Sequence, residues 1–337
     1  FMNARGGNIS RGLERKVENA LAREDFPRSE AGRLHPPQVV SEVYHKYIAA
    51  ICTGPDNAGI RRAGFKLLLC YDRSNLAGYI NDLRDKLGFA VEDFRPAGAK
   101  GFYRWSVCLE ALPALAQAVT ESGADAGAIL DPNADRLILI DEKGRTIQDN
   151  LLTALISLII LKGQSGSVVV PVTAPMVIES LAEQYRGKVV RTKTAVQDFL
   201  DKVLTQAAAP DSISQFFLHF DALSALVNIL DYLARHRIKL SDLVDEIPLF
   251  FMDSRDVPVP WEAKGKVIRR LVQDPPASRY ETLDGIKIYH PDGWALVLPD
   301  PDEPVCRVFS EGSTMEIAES LTDMYIKKIN EITGSKS

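Results

Sequence analysis

Apolar and polar positions along this chain switch repeatedly between a period near 3.6 and a period of 2. Residues 10–25, "SRGLERKVENALARED", carry the helical period, with Ser10 placed as the N-cap. "RLHPP" at 33–37 breaks the chain, and residues 38–53 read as a second helix. "GFKLLLCYD" (64–72) is a buried strand, and 74–88 is a helix that Gly88 terminates. "FAVEDF" (89–94) is a strand and 109–122 a helix. Strands at 126–130 and 136–140 flank a polar loop, and an apolar helix covers 147–162. Strand and helix in alternation predict a three-layer α/β domain with a mostly parallel sheet.

The alternation then restarts. "GSVVVPV" (166–172) and "KVVRT" (188–192) are strands, each followed by a helix, at 174–185 and 194–204. Residues 220–238 have apolar positions three and four apart, the pattern of an amphipathic helix. "LSDLVDEIP" closes this second, smaller α/β domain. "SRDVPVPW" (254–261) reads as a linker because prolines interrupt an extended run. A helix at 262–273, strands at 285–289, 294–298 and 305–309, and a helix at 314–331 predict a small C-terminal α+β domain.

Composition narrows the classes. The 337 residues are 46% apolar and 25% charged with a formal net charge of -5, so two or three globular domains fit, and no basic, aromatic-interleaved stripe invites nucleic acid. The apolar run at 151–161 is too short to cross a bilayer, and no signal-peptide pattern opens the chain, so a cytoplasmic protein with no membrane partner is expected. Phe1 stands where a complete chain would begin with Met, as in a piece of a longer protein. Cys52, Cys70, Cys108 and Cys306 are scattered in apolar surroundings without a CxxC, and read as buried thiols in a reducing compartment.

The polar loop in "DPNADRLILIDEKGR" (131–145) alternates oxygen-bearing side chains. If it is extended, Asp131, Asn133 and Asp135 point one way and offer hard oxygens to Mg²⁺. The bland alternative is a plain hairpin. At this loop, and at 168–198, 220–248, 284–296 and 303–309, the chain resembles the α-D-phosphohexomutase superfamily of phosphoglucomutases and phosphomannomutases. The resemblance implies successive three-layer α/β/α domains followed by a small α+β domain. Residues 1–32 would be the final helix of a first domain, 36–164 a second, 165–253 a third and 258–337 a fourth.

The resemblance also implies where chemistry should lie. The family's Asp-Gly-Asp-x-Asp-Arg metal loop falls on 131–136, with Pro132 and Asn133 replacing a glycine and an aspartate, so Mg²⁺ is expected to be weak or lost. Arg136, Thr192, Gln197, Glu303 and Arg307 are the remaining candidates for contact with a sugar phosphate or nucleotide sugar. The family's phosphoserine loop, Thr-x-Ser-His-Asn-Pro-like, has no counterpart in the chain, and its Gly-Glu-x-Ser-Gly-His loop gives way to "TQAAAPDSISQFF" at 205–217, where Ala207–Pro210 could mark missing residues. The phosphate loop Arg-Pro-Ser-Gly-Thr-Glu-Pro reads "LPDPDEP" at 298–304. There Arg307 is expected to pair with Glu303 or the neighbouring aspartates, in a solvated acidic loop. His290 reads as part of a turn, and "RPAGAKGFYRW" (95–105) as a connection.

Two functions follow as expectations. One is a mutase-like module, inactive by itself, with a binding, regulatory or assembly role. It resembles the C-terminal part of proteins whose N-terminal part is a sugar-1-phosphate nucleotidyltransferase, fused or associated, and a homo-oligomer fits that role. The alternative is an active Mg-dependent phosphohexomutase interconverting hexose 1- and 6-phosphates.

Overall fold

The structure is a computed structural model describing residues 1–3, 7–33, 36, 38, 41–95, 105–163, 166–206, 212–275, 277 and 279–334. Most of "RLHPP", the glycine-rich connection at 96–104 and the Ala207–Pro210 junction lie outside the described residues. The chain divides into two compact units, one of residues 1–159 with 203–246, the other of 160–202 with 247–337.

The first unit is built on a five-stranded sheet of β1 (Lys66–Cys70), β2 (Ala90–Asp93), β3 (Ala126–Leu130), β4 (Leu137–Asp141) and β5 (Thr146–Ile147), in the order β2-β1-β3-β4-β5. Every residue of β3 and β4 is buried, as strands covered on both faces must be. The sheet is mixed rather than mostly parallel. β1 runs parallel to both β2 and β3, but β4 and β5 are antiparallel to their neighbours. The reason is connection length: six residues separate β3 from β4, enough for a hairpin and too few for a parallel crossover.

Local chemistry sets the helix ends. Ser10 accepts from the Leu13 N–H to cap Arg11–Ala22, and Asp72 accepts from Ser74 to cap Arg73–Leu87, which ends at Gly88 with φ +75°. The helix expected at 109–122 is two helices, Trp105–Glu110 and Leu112–Ser122, with Pro113 in the first turn of the second. The "SISQFF" stretch, read as standing in place of the family's Gly-Glu-x-Ser-Gly-His loop, lies in the helix Ser212–Phe220. The amphipathic stretch at 220–238 is the helix Ala222–His236, which packs on Asn57–Ala63, Ser41–Ile51 and β4. Among the described residues no single helix is long and apolar enough to cross a membrane.

The second unit contains a parallel pair, β6 (Ser167–Pro171) and β7 (Lys188–Thr192), and an antiparallel sheet. That sheet comprises β8 (Phe251–Pro258), β9 (Arg279–Glu281), β10 (Ile286–His290), β11 (Gly293–Pro299) and β12 (Val305–Gly312), ordered β8-β12-β11-β10-β9. The supposed linker at 254–261 is therefore mostly strand. β8 pairs with β12 over eight residues and, among the described residues, has no neighbour on its other side, so Pro258 at its end deprives the ladder of little. One face of the sheet packs Ile286, Ile288, Val297 and Val308 against Val267, Leu271, Leu321 and Tyr325 of the helices Trp261–Gln273 and Met315–Thr333. The opposite face packs Trp294, Leu296 and Leu298 against Val172 just beyond β6.

Candidate functional site

In the first unit the loop between β3 and β4 is a tight turn, not an extended segment, so alternate residues do not share a face. Asp131 is buried, whereas Asn133 and Asp135 are exposed. Asp131 Oδ1 accepts the backbone N–H groups of Asp135 at 2.7 Å and Arg136 at 2.8 Å. Ala134 sits between them, buried and left-handed at φ +57°, held there by donating to the Asp131 carbonyl and accepting from Ala222 N–H at 2.7 Å. Arg136 is exposed and lies 6.0 Å from the Trp105 ring centre.

Negative charge is concentrated here. Burial, then Asp131 and Asp221, push the Asp135 carboxyl above its ordinary range, against the pull of Arg136. Asp221 caps the helix Ala222–His236 through Ser224 N–H and accepts the Tyr47 hydroxyl on both oxygens at 2.9 Å. Burial raises both the Asp221 carboxyl and the Tyr47 phenol. Two cavities flank the turn. One, of about 670 Å³, includes Tyr44, Tyr47, Tyr79, Asn133, Asp135 and Asp221 in its wall. The other, of about 410 Å³, includes Trp105, Asp135, Arg136, Asp149, His219 and Asp221, with burial holding the His219 imidazole down to about 4.

Among the described residues no group of three or more His, Cys, Asp or Glu side chains is placed to hold a metal ion. The side chains of Asp131, Asn133 and Asp135 are two carboxylates and an amide, oxygen donors of the kind a hard cation takes, but the turn spends Asp131 Oδ1 on two backbone N–H groups and sets Arg136 beside Asp135. Cys70 and Cys108 are buried in one apolar cluster with Ile129 and Ile138 of β3 and β4. Cys306 is also buried, while Cys52 is half-exposed rather than buried.

In the second unit the sequence candidates are dispersed. Thr192 is buried at the end of β7, where its carbonyl accepts from Val172 N–H at 2.8 Å. Gln197 is half-buried in the first turn of Val196–Gln206. Glu303 is exposed and is not the partner of Arg307, which pairs with Asp300 at 2.9 Å and Asp256 at 3.6 Å. The expected solvated acidic loop is thus folded inward at Asp300, because two backbone N–H groups and a guanidinium converge there. His290 lies at the β10–β11 turn and meets the Tyr325 hydroxyl at 2.9 Å.

Sequence reasoning missed Arg191, Lys287 and the tyrosines. Arg191 forks onto Glu179 at 2.9 Å and donates to the carbonyl of Ala174 at 2.8 Å. Lys287 is buried with its ammonium nitrogen 3.5 Å from the Trp294 ring centre and 3.0 Å from the Val172 carbonyl. Both fall in segments that carry the resemblance, 168–198 and 284–296, but neither was singled out there. For Tyr44 and Tyr47 the one available signal was their i,i+3 spacing on the helix Ser41–Ile51.

No protein-family model matches the chain. Among curated proteins it is similar to a phosphoglucomutase/phosphomannomutase of Thermococcus kodakarensis, 27% identical over 352 aligned positions covering 98% of this chain and 75% of that protein. Phosphoglucosamine mutases of Methanococcus maripaludis also match, one of them 30% identical across 60% of this chain and 48% of its own length. The chain therefore spans from about half to three quarters of these relatives. Among solved structures it resembles a phosphoglucomutase/phosphomannomutase family protein of Burkholderia thailandensis, with a TM-score of 0.74, 17% identity, and 99% and 73% of the two chains covered.

Proposed function

With homologues and structural neighbours that are phosphoglucomutases, phosphomannomutases and phosphoglucosamine mutases of the α-D-phosphohexomutase superfamily as the premise, we infer that this chain is a mutase-like module of sugar-phosphate and nucleotide-sugar metabolism that does not transfer phosphoryl groups by itself. Its role is binding, regulation or assembly beside a sugar-1-phosphate nucleotidyltransferase.

The observation that carries this reading is the turn after β11. A loop that is to grip a substrate phosphate needs free N–H donors and a free cation. Here Leu298 faces Arg307 across the ladder, Pro301 has no N–H, and Arg307 is already engaged by Asp300. The sequence adds that no phosphoserine-type loop is present to carry the group in transit. Asp131, Asn133 and Asp135 are the residues that would hold Mg²⁺, with one carboxylate fewer than the family's loop. When bound, Mg²⁺ would stabilise charge on a phosphate oxygen. This chain's own contribution is to fix the turn through Asp131 and to leave Asn133 and Asp135 facing water.

The competing reading, an active phosphohexomutase, is favoured by the persistence of the Asp131–Arg136 turn in ordered form. A coupled assay separates the two, using the glucose, mannose and glucosamine 1- and 6-phosphates with Mg²⁺ and a hexose 1,6-bisphosphate primer. The module reading expects no conversion. Turnover in the ordinary enzyme range of about 1–10³ s⁻¹ would establish the active mutase instead.

A further inference from the structure

We propose that Lys287 is a proton-operated latch between the C-terminal sheet and the β6–β7 pair: as a neutral amine it closes the junction at Val172, and as an ammonium it favours opening. Side chains alternate along β10, so Ile286 and Ile288 enter the helix-covered core while Lys287 faces the opposite layer. There Trp294, Leu296 and Leu298 pack on Val172. Lys287 is 1% exposed, and its nitrogen donates to the Val172 carbonyl at 3.0 Å and stands 3.5 Å from the Trp294 ring centre. An ammonium has three N–H donors to place. Here it finds one carbonyl and one aromatic face. The carbonyl is itself shared, because the Arg191 guanidinium donates to it at 3.3 Å. Two cations thus converge on one oxygen in an apolar layer, an arrangement that a neutral amine relieves.

Charged groups reach this point from each neighbouring element, and the carboxylates among them are committed elsewhere or too far away to pair. Arg191 comes from β7 and holds Glu179 of the helix Val177–Gln184. Glu311 of β12 accepts the Trp294 indole N–H at 2.7 Å and the Met176 N–H at 2.8 Å. Glu281 is the cross-strand neighbour on β9, and Arg279 of the same strand lies over the Tyr289 ring. Among the described residues no carboxylate stands within ion-pairing distance of Lys287. Burial, then Arg191, accordingly lowers its ammonium to about 7, against the pull of Glu179, Glu311 and Glu281. Water entering the junction would return it toward its ordinary 10.5. Between those values the open junction holds a proton that the closed one lacks, so closure strengthens as pH rises through the window and is level below and above it. Val172 N–H also donates to the Thr192 carbonyl at 2.8 Å, so the latch bears on both strands of the pair.

The test is amide hydrogen exchange on the full chain between pH 7.5 and 9.5, with each rate divided by the intrinsic exchange rate at that pH. It reads local opening alone, so it stands or falls separately from the question of turnover. The opening constant of the β6 and β7 amides should fall by about tenfold per pH unit in the parent, the limit for one linked proton. It should also exceed that of the β12 amides, which the latch does not guard. Lys287→Met should open to an extent that does not vary with pH, and Lys287→Gln decides the matter if the methionine variant does not fold. A parent without the slope, or a folded variant that keeps it, would overturn the proposal. Equal opening constants in β12 and in the β6–β7 pair would overturn it too, because the unit would then unfold as one. Titration of the Lys287 side-chain ¹³Cε resonance gives an independent reading: a midpoint near 7 supports the latch, and one at the ordinary lysine value overturns it.

Discussion

At the residue scale, the side chains that the fold uses most heavily are buried and charged or hydroxyl-bearing. Tyr47 adds a hydroxyl donor to Asp221, a half-buried carboxylate that also accepts Ser224 N–H. Tyr47→Phe is therefore expected to cost about 1–3 kcal/mol, the penalty for leaving such an acceptor short, measured by urea unfolding. An unchanged midpoint would mean that water replaces the phenol. Lys287 is a second case. Burial first, then Arg191, lowers its ammonium to about 7 from 10.5, while Glu179, Glu311 and Glu281 pull the other way. Between those two values the unfolded chain holds more protons than the folded one, so stability rises with pH through that window and is level below it. The slope attributable to one such group is at most about 1.4 kcal/mol per pH unit. Lys287→Met should remove that contribution, seen as a flatter profile of unfolding free energy from neutral to alkaline pH. Parallel profiles for parent and variant would place the ammonium in water. At the 131–136 turn, Asn133→Asp adds a carboxylate and should tighten Mg²⁺ or Mn²⁺ binding in calorimetric titration. Equal heats for the two proteins would remove Asn133 from the ligand set.

At the element scale, the C-terminal sheet is held by close backbone approaches. Gly285 precedes β10 at φ +65°, and a Cβ there would lie 2.2 Å from the Val297 carbonyl oxygen. Gly285→Ala faces both a left-handed backbone and a backbone clash on the neighbouring strand. It should destabilise the chain by more than about 2 kcal/mol, the level at which single substitutions require such a mechanism. A thermal melt within a degree or two of the parent would contradict that register. The same scale shows where pattern reading succeeds and fails. β1, β3, β4, β10, β11 and β12 were legible as short apolar runs between breakers, and the helices Arg73–Leu87 and Met315–Thr333 by their period, with Asp72 and Thr314 as their caps. β8 was not, because an edge strand half open to water carries little periodic signal, and its prolines mimic a linker.

At the scale of the whole molecule, the 203–246 segment packs with the first unit although the sequence places it after β6 and β7, in the second. Function at this scale turns on whether the chain transfers a phosphoryl group when a serine-bearing domain is joined to it. A chimera that adds such a domain from a phosphohexomutase tests that. It is expected to remain inactive in the coupled assay, because Asp300 still engages Arg307. Turnover by the chimera would show that the turn does not obstruct catalysis.

The sequence by itself determined the alternation of strands and helices, the succession of α/β and α+β parts, the acidic turn at 131–136 and the departures at 298–304 that set this chain apart from its likeness. These are local properties, written in spacing, caps and breakers within a few residues of one another. Only the tertiary structure decided that the β3–β4 pairing is antiparallel, that Thr192 is buried, that Arg307 pairs with Asp300 rather than Glu303, and that Tyr47 reaches Asp221 across 174 positions. Strand neighbours, side-chain partners and buried charges depend on residues distant in the chain, and local periodicity carries no record of which distant residue will arrive.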